Sequence, residues 1–346
     1  MTIERFVCLL FALVLSSPAW SIAQNSRTSH GITIAVAIDT KSSQPVVDLA
    51  QHDFIILDNK IPRPITSFRV LSSASEPVHV ILLIDAVNMP FRGLSHARLG
   101  IEEYLKSNQG KLAYPTTLAI LTDKGVQIAE DFSSNGNALN DVFQRQQIGL
   151  RQITRNSEWG GYDRLQISVE AFFQLVDYAS GIPGRKAIIW FSPGWPLISG
   201  PNVMLSTRDE KQLFNDVVSS ANRLRQSNLT LYNVNPWGVD ESLDRANYFE
   251  AFLKAPVNAN GIEAGYLGLQ VLAIHSGGLA IESNNDVARN IETCLNKLRS
   301  WYEIAFDPLP ADKPNEYHHI EVRLNQRALT AHTTDGYYAN PTVLQP

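Results

Sequence analysis

Hydrophobic positions along this chain fall into three regimes. From Gly31 to Leu71, β-branched residues alternate or cluster around short polar interruptions, as in GITIAVAIDTKSSQPVVDL and DFIILDNKIPRPITSFRVL. That pattern predicts strand-turn-strand units, with Ser42-Ser43 and Asp58-Asn59 at the turns. From Val78 the spacing changes. VHVILLID is apolar at nearly every position and ends on Asp85, the signature of a strand buried on both faces. FRGLSHARLGIEEYLKSN then places Leu94, Ala97, Ile101, Tyr104 and Leu105 on one helical face.

The alternation continues. TTLAILTD and VQIAEDF flank Lys124-Gly125 as an antiparallel hairpin, NALNDVFQRQ is a helix, and Tyr162 to Ser180 is a long helix stopped by Gly181-Ile182-Pro183-Gly184. KAIIWFS and LTLYNVN read as further buried strands with a helix between them. The helix EAGYLGLQVLAIHSGG, the strand LAIE and a helix around Cys294 follow. In the tail, WYEIAFDP, HHIEVRLN and ALTAHTTDGYYA are three strand-like runs with no helix between them. The fold class predicted is α/β: a mostly parallel central sheet flanked by helices over 78–301, since parallel crossovers need helix-length connections. The strands of 31–71 and 302–340 are expected to join in one small β unit.

Composition narrows the class. The 346 residues are 44% hydrophobic and 18% charged with a formal net charge of −5, values of an ordinary globular protein. Lys and Arg are scattered, so charge alone recruits neither nucleic acid nor an anionic membrane. Residues 1–23 read as a secretory signal peptide, with Arg5, an apolar run from Phe6 to Leu15, and Ser21-Ile22-Ala23 before the cleavage point. The expected mature protein is exported, periplasmic or extracellular, without a transmembrane segment. Its one remaining cysteine, Cys294, excludes an intramolecular disulfide and shares a helical face with Ile291, Leu295 and Leu298.

Enzymatic signatures are absent. No Gly-x-Ser-x-Gly elbow, phosphate-binding loop or dinucleotide fingerprint occurs, and no cofactor is implied. His275 and Ser276 are adjacent and point apart on a helix. His318 and His319 face opposite sides of a strand, expected to be a solvated edge. Trp190 and Phe191 alternate within a strand, so one of them is expected in the core. Trp159, Trp195 and Trp237 lie beside Gly and Pro in segments expected at the carboxyl end of the sheet. There, exposed aromatics would supply binding hot spots and buried ones an apolar lid.

VDLAQHDFIILDNKIPRPITSF, VHVILLIDAVN, GIPGRKAIIWFSPGWP and YHHIEVRLNQRALTAHTTDGYYA together resemble the exported von Willebrand factor A-related proteins of Acidobacteria and similar bacteria. The resemblance implies a von Willebrand A fold with one antiparallel edge at the Lys124-Gly125 hairpin. It also implies a role in adhesion or assembly, through a divalent cation held at the top of the sheet. The family's metal motif is Asp-x-Ser-x-Ser, with a Thr and an Asp from later loops. Here Asp85 keeps the first place, Val87 and Met89 take the two Ser places, and Pro193 stands where the later Asp belongs. The metal site is therefore expected to be degenerate, with Asp85 accepting hydrogen bonds from its own loop. Asp85, Asn88, Asp163 and Ser192, with Trp159, Trp195 and Trp237, are the candidate binding residues for a protein or cell-envelope partner. The alternatives are a scaffolding subunit of a homo-oligomer and an envelope hydrolase with an unrecognised site.

Overall fold

The computed structural model describes residues 31–39, 49–129, 131–145, 158–196, 205–238, 248–326 and 328–341, with the side chains of 158 and 159 excepted. The signal-peptide reading of 1–23 and the Ser42-Ser43 turn lie outside the described residues.

The central strand is β5 (Val78–Asp85), preceded by β1 (Ile32–Asp39), β2 (Phe54–Asp58), β3 (Ile61–Arg63) and β4 (Ile65–Ser72). Parallel neighbours of β5 are β6 (Lys111–Thr122) on one side and β9 (Arg185–Phe191) on the other. Outward from these lie β7 (Gly125–Ile128), with β8 (Ser133–Asn135) also pairing to β6, and, across the sheet, β10 (Leu229–Val234) and β11 (Ala280–Ile281). The order is β11-β10-β9-β5-β6-β7, with β7 antiparallel at the edge. This is the expected mostly parallel sheet, with a single reversed edge at β7.

Both faces of that sheet are apolar, and each takes its own helices. Val80, Leu82 and Ile84 of β5 face α1 (Phe91–Lys106), α2 (Gly136–Arg145) and α6 (Val287–Asn296). Ile81 and Leu83 face α3 (Glu158–Ser180), α4 (Thr207–Gln226) and α5 (Leu269–His275). Burial of each such side chain stabilises by about 1.5–3 kcal/mol, so the helices are held by the strands rather than by their own propensity. One of Trp190 and Phe191 was expected in the core, and both are fully buried. The strand β9 is covered on both sides, so alternation separates the two between cores without exposing either. The expected helix over EAGYLGLQVLAIHSGG is shorter: Ala264–Leu267 is a 3-10 turn, and α5 starts only at Leu269.

The terminal strands form two four-stranded sheets that share one core. One has the order β14-β1-β12-β4 and the other β15-β13-β2-β3, where β12 is Ser300–Phe306, β13 Glu316–Leu324, β14 Thr330–His332 and β15 Gly336–Ala339. Ile34, Val36, Phe54, Ile56, Tyr302 and Phe306 pack between them. The run ALTAHTTDGYYA is thus two strands in different sheets. Its crossover is fastened to α5, where Thr334 Oγ1 donates to the His275 carbonyl at 2.9 Å and Asp335 pairs with the His275 ring. The hairpin turn is Asn59-Lys60, both with positive φ (48° and 68°), rather than Asp58-Asn59.

That one-residue displacement puts Asp58 inside the sandwich. Its carboxylate accepts from Tyr337 OH at 2.8 Å and Leu309 N at 2.8 Å, and lies 3.0 Å from His318 Nδ1. The expectation of a solvated edge is corrected for His318: β13 pairs with β15 along one half and β2 along the other, and His318 is buried, while His319 is exposed.

The stop after α3 depends on Gly184, which has φ +77° and whose Cβ, if present, would lie 2.2 Å from the Pro77 carbonyl oxygen. Lys186 Nζ donates to the Ile182 and Gly184 carbonyls at 2.9 and 2.8 Å, bracing the turn that follows the helix. Gly184→Ala should therefore destabilise by about 3 kcal/mol or more, whereas Gly261→Ala should cost only about 1 kcal/mol. Gly261 shares the left-handed backbone, with no atom within 4 Å of the added methyl. Urea unfolding midpoints distinguish the two, and equal losses would remove the close approach to Pro77 as the cause.

Candidate functional site

The crevice expected of open α/β sheets belongs at the carboxyl ends of the strands, here those of β5, β9 and β10. Asp85, the last residue of β5, is fully buried. Its Oδ1 accepts from the backbone N–H groups of Val87 (3.0 Å) and Asn88 (2.9 Å). Its Oδ2 accepts from Asn88 Nδ2 (2.8 Å) and Trp190 Nε1 (3.2 Å). The loop thus folds back on its own carboxylate, and one indole from β9 completes the arrangement. Burial pushes the Asp85 carboxyl above its ordinary value, while donors from Asn88, Trp190 and Ser192 oppose the rise.

Val87 and Met89, in the two places where hydroxyls would face a cation, are 6% and 4% exposed and belong to the cores on opposite faces of the sheet. A hard divalent cation needs a shell of oxygens. Here both Asp85 oxygens are turned toward N–H donors, and no group of three or more His, Cys, Asp or Glu side chains suited to a metal occurs among the described residues. The residues present do not fit the metal that the resemblance implies.

Of the expected residues, the fold gathers Asp85, Asn88 and Ser192. Ser192 is buried, and its Oγ accepts from Gly194 N at 3.2 Å. Asp163 lies half-buried on α3, and Trp159 stands in the first turn of the same helix rather than in a loop, its side chain outside the described residues. Trp195 is corrected: it is 4% exposed, packed against Trp190 (5.4 Å between ring centroids) and Phe172 (6.3 Å), and forms part of the crevice floor. Trp237 is 44% exposed at the end of β10, on a turn where its N–H donates to Asn235 Oδ1 at 3.1 Å. The Arg92 guanidinium stands 5.4 Å above its ring, and the His96 ring meets it edge-on at 6.0 Å.

Three further residues complete the crevice. Asn88 Nδ2 also donates to Ser168 Oγ at 2.8 Å, tying the β5 loop to α3. The signal for Ser168 lay in the sequence, because it begins the helical stripe Ser168, Ala171, Phe172, Leu175, Val176, Ala179. Gln270 Nε2 donates to the Pro193 carbonyl (3.2 Å) and to Glu282 Oε1 (2.9 Å). Burial raises the Glu282 carboxyl above the usual range. Gln270 and Glu282 come from α5 and the end of β11, and no local pattern announces that they meet.

Fold and site together define an α/β protein with a mostly parallel sheet whose buried Asp85 is held by its own chain. No protein-family model matches the chain, and no curated protein matches it in sequence. Among solved structures it is similar to the human COPII-coat protein Sec24c, at a TM-score of 0.30 and 8% identity, over 76% of this chain and 44% of that one. A mutant of the PilB minor pilin from Streptococcus sanguinis aligns at a TM-score of 0.34 and 10% identity, over 64% and 61%. Manganese-loaded Plasmodium vivax TRAP protein aligns at 0.33 and 13%, over 78% and 96%. The chain thus spans less than two thirds of the length of the first two, and likenesses this remote assign no partner or chemistry.

The Asp85 shift sets a pH dependence. A carboxyl whose folded pKa is raised stabilises the fold fully below its unfolded pKa, and that contribution is lost as pH rises through the folded value. The melting temperature of the wild type relative to Asp85→Asn should therefore fall as pH rises from 3.8 toward neutrality. Thermal unfolding across pH 3 to 8 reads this, and a wild type that gains on the variant would mean that the N–H donors outweigh burial.

Proposed function

We propose that this chain is an exported, non-enzymatic von Willebrand A-like module that binds a protein or a cell-envelope component through the top of its sheet, without a metal ion. The observation that carries this reading is the exposed Trp237, held by Arg92 and His96 at the crevice mouth. Trp and Arg are the residues that most often dominate binding energy at protein interfaces, and an aromatic ordered in advance loses little entropy on binding. Phe91 and Leu99, 53% and 64% exposed, are further apolar side chains on α1, the helix that carries Arg92 and His96. The filled hydroxyl positions and the saturated Asp85 support contact by shape and aromatics rather than through a shared cation. Export rests on the N-terminal pattern of Arg5 followed by an apolar run.

Pull-down from envelope extract with the mature chain tests the surface. Trp237→Ala should lose the partner while shifting stability by less than about 1 kcal/mol, as exposed substitutions do. Trp195→Ala should instead cost about 3–5 kcal/mol and leave the partner set of the folded fraction unchanged. An identical partner set for wild type and Trp237→Ala would remove this face as the contact. Light scattering addresses self-association: a stable dimer that depends on Trp237 would make the partner a second copy of the chain. Titration calorimetry with Mg²⁺, Mn²⁺ and Ca²⁺ should show no one-to-one binding. Tight binding abolished by Asp85→Ala would overturn the metal-independent reading.

A further inference from the structure

At the opposite end of the sheet from Asp85, the first residues of β9 and β10 meet the sandwich strands β1 and β12 around a cavity of about 360 Å³. Arg185 is the first residue of β9 and lines it, at 3% exposure. Its guanidinium lies 4.9 Å from the centre of the Trp301 ring. Its Nε and Nη1 are buried without a hydrogen-bond partner, and no acid pairs with it among the described residues. Arg225, from the last turn of α4, lines the same cavity, and its Nε is likewise buried and unpartnered. Thr333 adds a buried hydroxyl with no partner. Burial lowers the pKa of both arginines, a shift that an anion alongside would offset.

The acids near this hollow are engaged elsewhere. Glu303 lines the cavity, but its carboxylate pairs with Arg69 at 2.8 Å. Asp39 pairs with His332 at 2.8 Å and with Lys297. Two arginines with no acid partner among the described residues therefore line a space that holds no uncommitted negative charge among those residues. An unpaired buried charge costs several kcal/mol, and the aromatic face of Trp301 returns only about 2. Water could accept hydrogen bonds there but would supply no charge. A planar guanidinium fork matches the paired oxygens of a carboxylate or phosphate, and the volume lies in the range of small-molecule sites.

We infer that this cavity between the sandwich and the base of the sheet binds a small oxyanion, a phosphate or carboxylate group on a free small molecule, through Arg185 and Arg225. The site is independent of the Trp237 surface, which lies at the far end of the strands, so either can fail without the other.

Thermal shift and titration calorimetry of the full chain test it, with inorganic phosphate and succinate as probes and chloride at matched ionic strength as control. Phosphate or succinate should bind one-to-one and raise the melting temperature by about 4 °C at a hundredfold excess over Kd. A larger effect of phosphate assigns a phosphate ligand, and a larger effect of succinate a carboxylate. Arg225→Gln should weaken binding about tenfold or more and Arg185→Met should abolish it. Without anion, Arg185→Met should melt no lower than wild type, because it removes an unpaired buried charge. If Arg185→Met does not fold, Arg225→Gln and Thr333→Val carry the comparison. Absence of a saturable shift with either probe, or an unchanged shift in Arg225→Gln, would overturn the site.

Discussion

The whole structure depends on two adjacent strands with no face turned to water. Every residue of β9 is buried, and β5 is buried along nearly all of its length. An edge cannot be buried on both faces, so these strands must be central, and each face must carry its own layer of helices. The crossovers that reach those layers leave the carboxyl ends of the strands together at one end and the amino ends at the other. Asp85 and Arg185 are consequences of that polarity: one closes β5 at the top, the other opens β9 at the bottom.

The two ends handle buried charge in opposite ways. At the top, the chain supplies its own partners. Asp85 is wrapped by two backbone N–H groups, an amide and an indole, and the places where cation ligands would stand are filled by Val87 and Met89. That construction fills the carboxyl end of β5 from within, while Trp237 under the Arg92 guanidinium stays exposed. At the bottom, Arg185 and Arg225 keep donors with no described partner and line a hollow. Charge buried with its partners builds architecture; charge buried without them marks a place for something else.

Periodicity made much of this legible. The apolar runs fixed β5, β9 and β10, and the 3.6-residue stripes fixed α1, α4 and α6 with boundaries close to those observed, because burial on two faces or one leaves a direct mark on composition. Asp85 and its loop were readable for a local reason, since the donors at Val87 and Asn88 follow it within three residues. Trp195 was not readable. A tryptophan between Gly and Pro looks the same whether it faces solvent or packs on Trp190 and Phe172, and which of these holds depends on α3, reached from elsewhere in the chain. The single run ALTAHTTDGYYA likewise carried no sign that it divides between two sheets.

What the sequence determined by itself is the alternation of elements, the central position of β5 and β9, and the apolar side chains of Val87 and Met89 beside Asp85. These follow from short-range patterns in which each residue's neighbours state its environment. Only the tertiary structure decided that His318 is buried against Asp58 rather than solvated, that Gln270 bridges Pro193 and Glu282, and that Arg185 and Arg225 share one cavity. Each of these joins residues from different elements. A polar side chain is written identically in sequence whether water or another buried group satisfies it, so its role is set by the packing that removes the water.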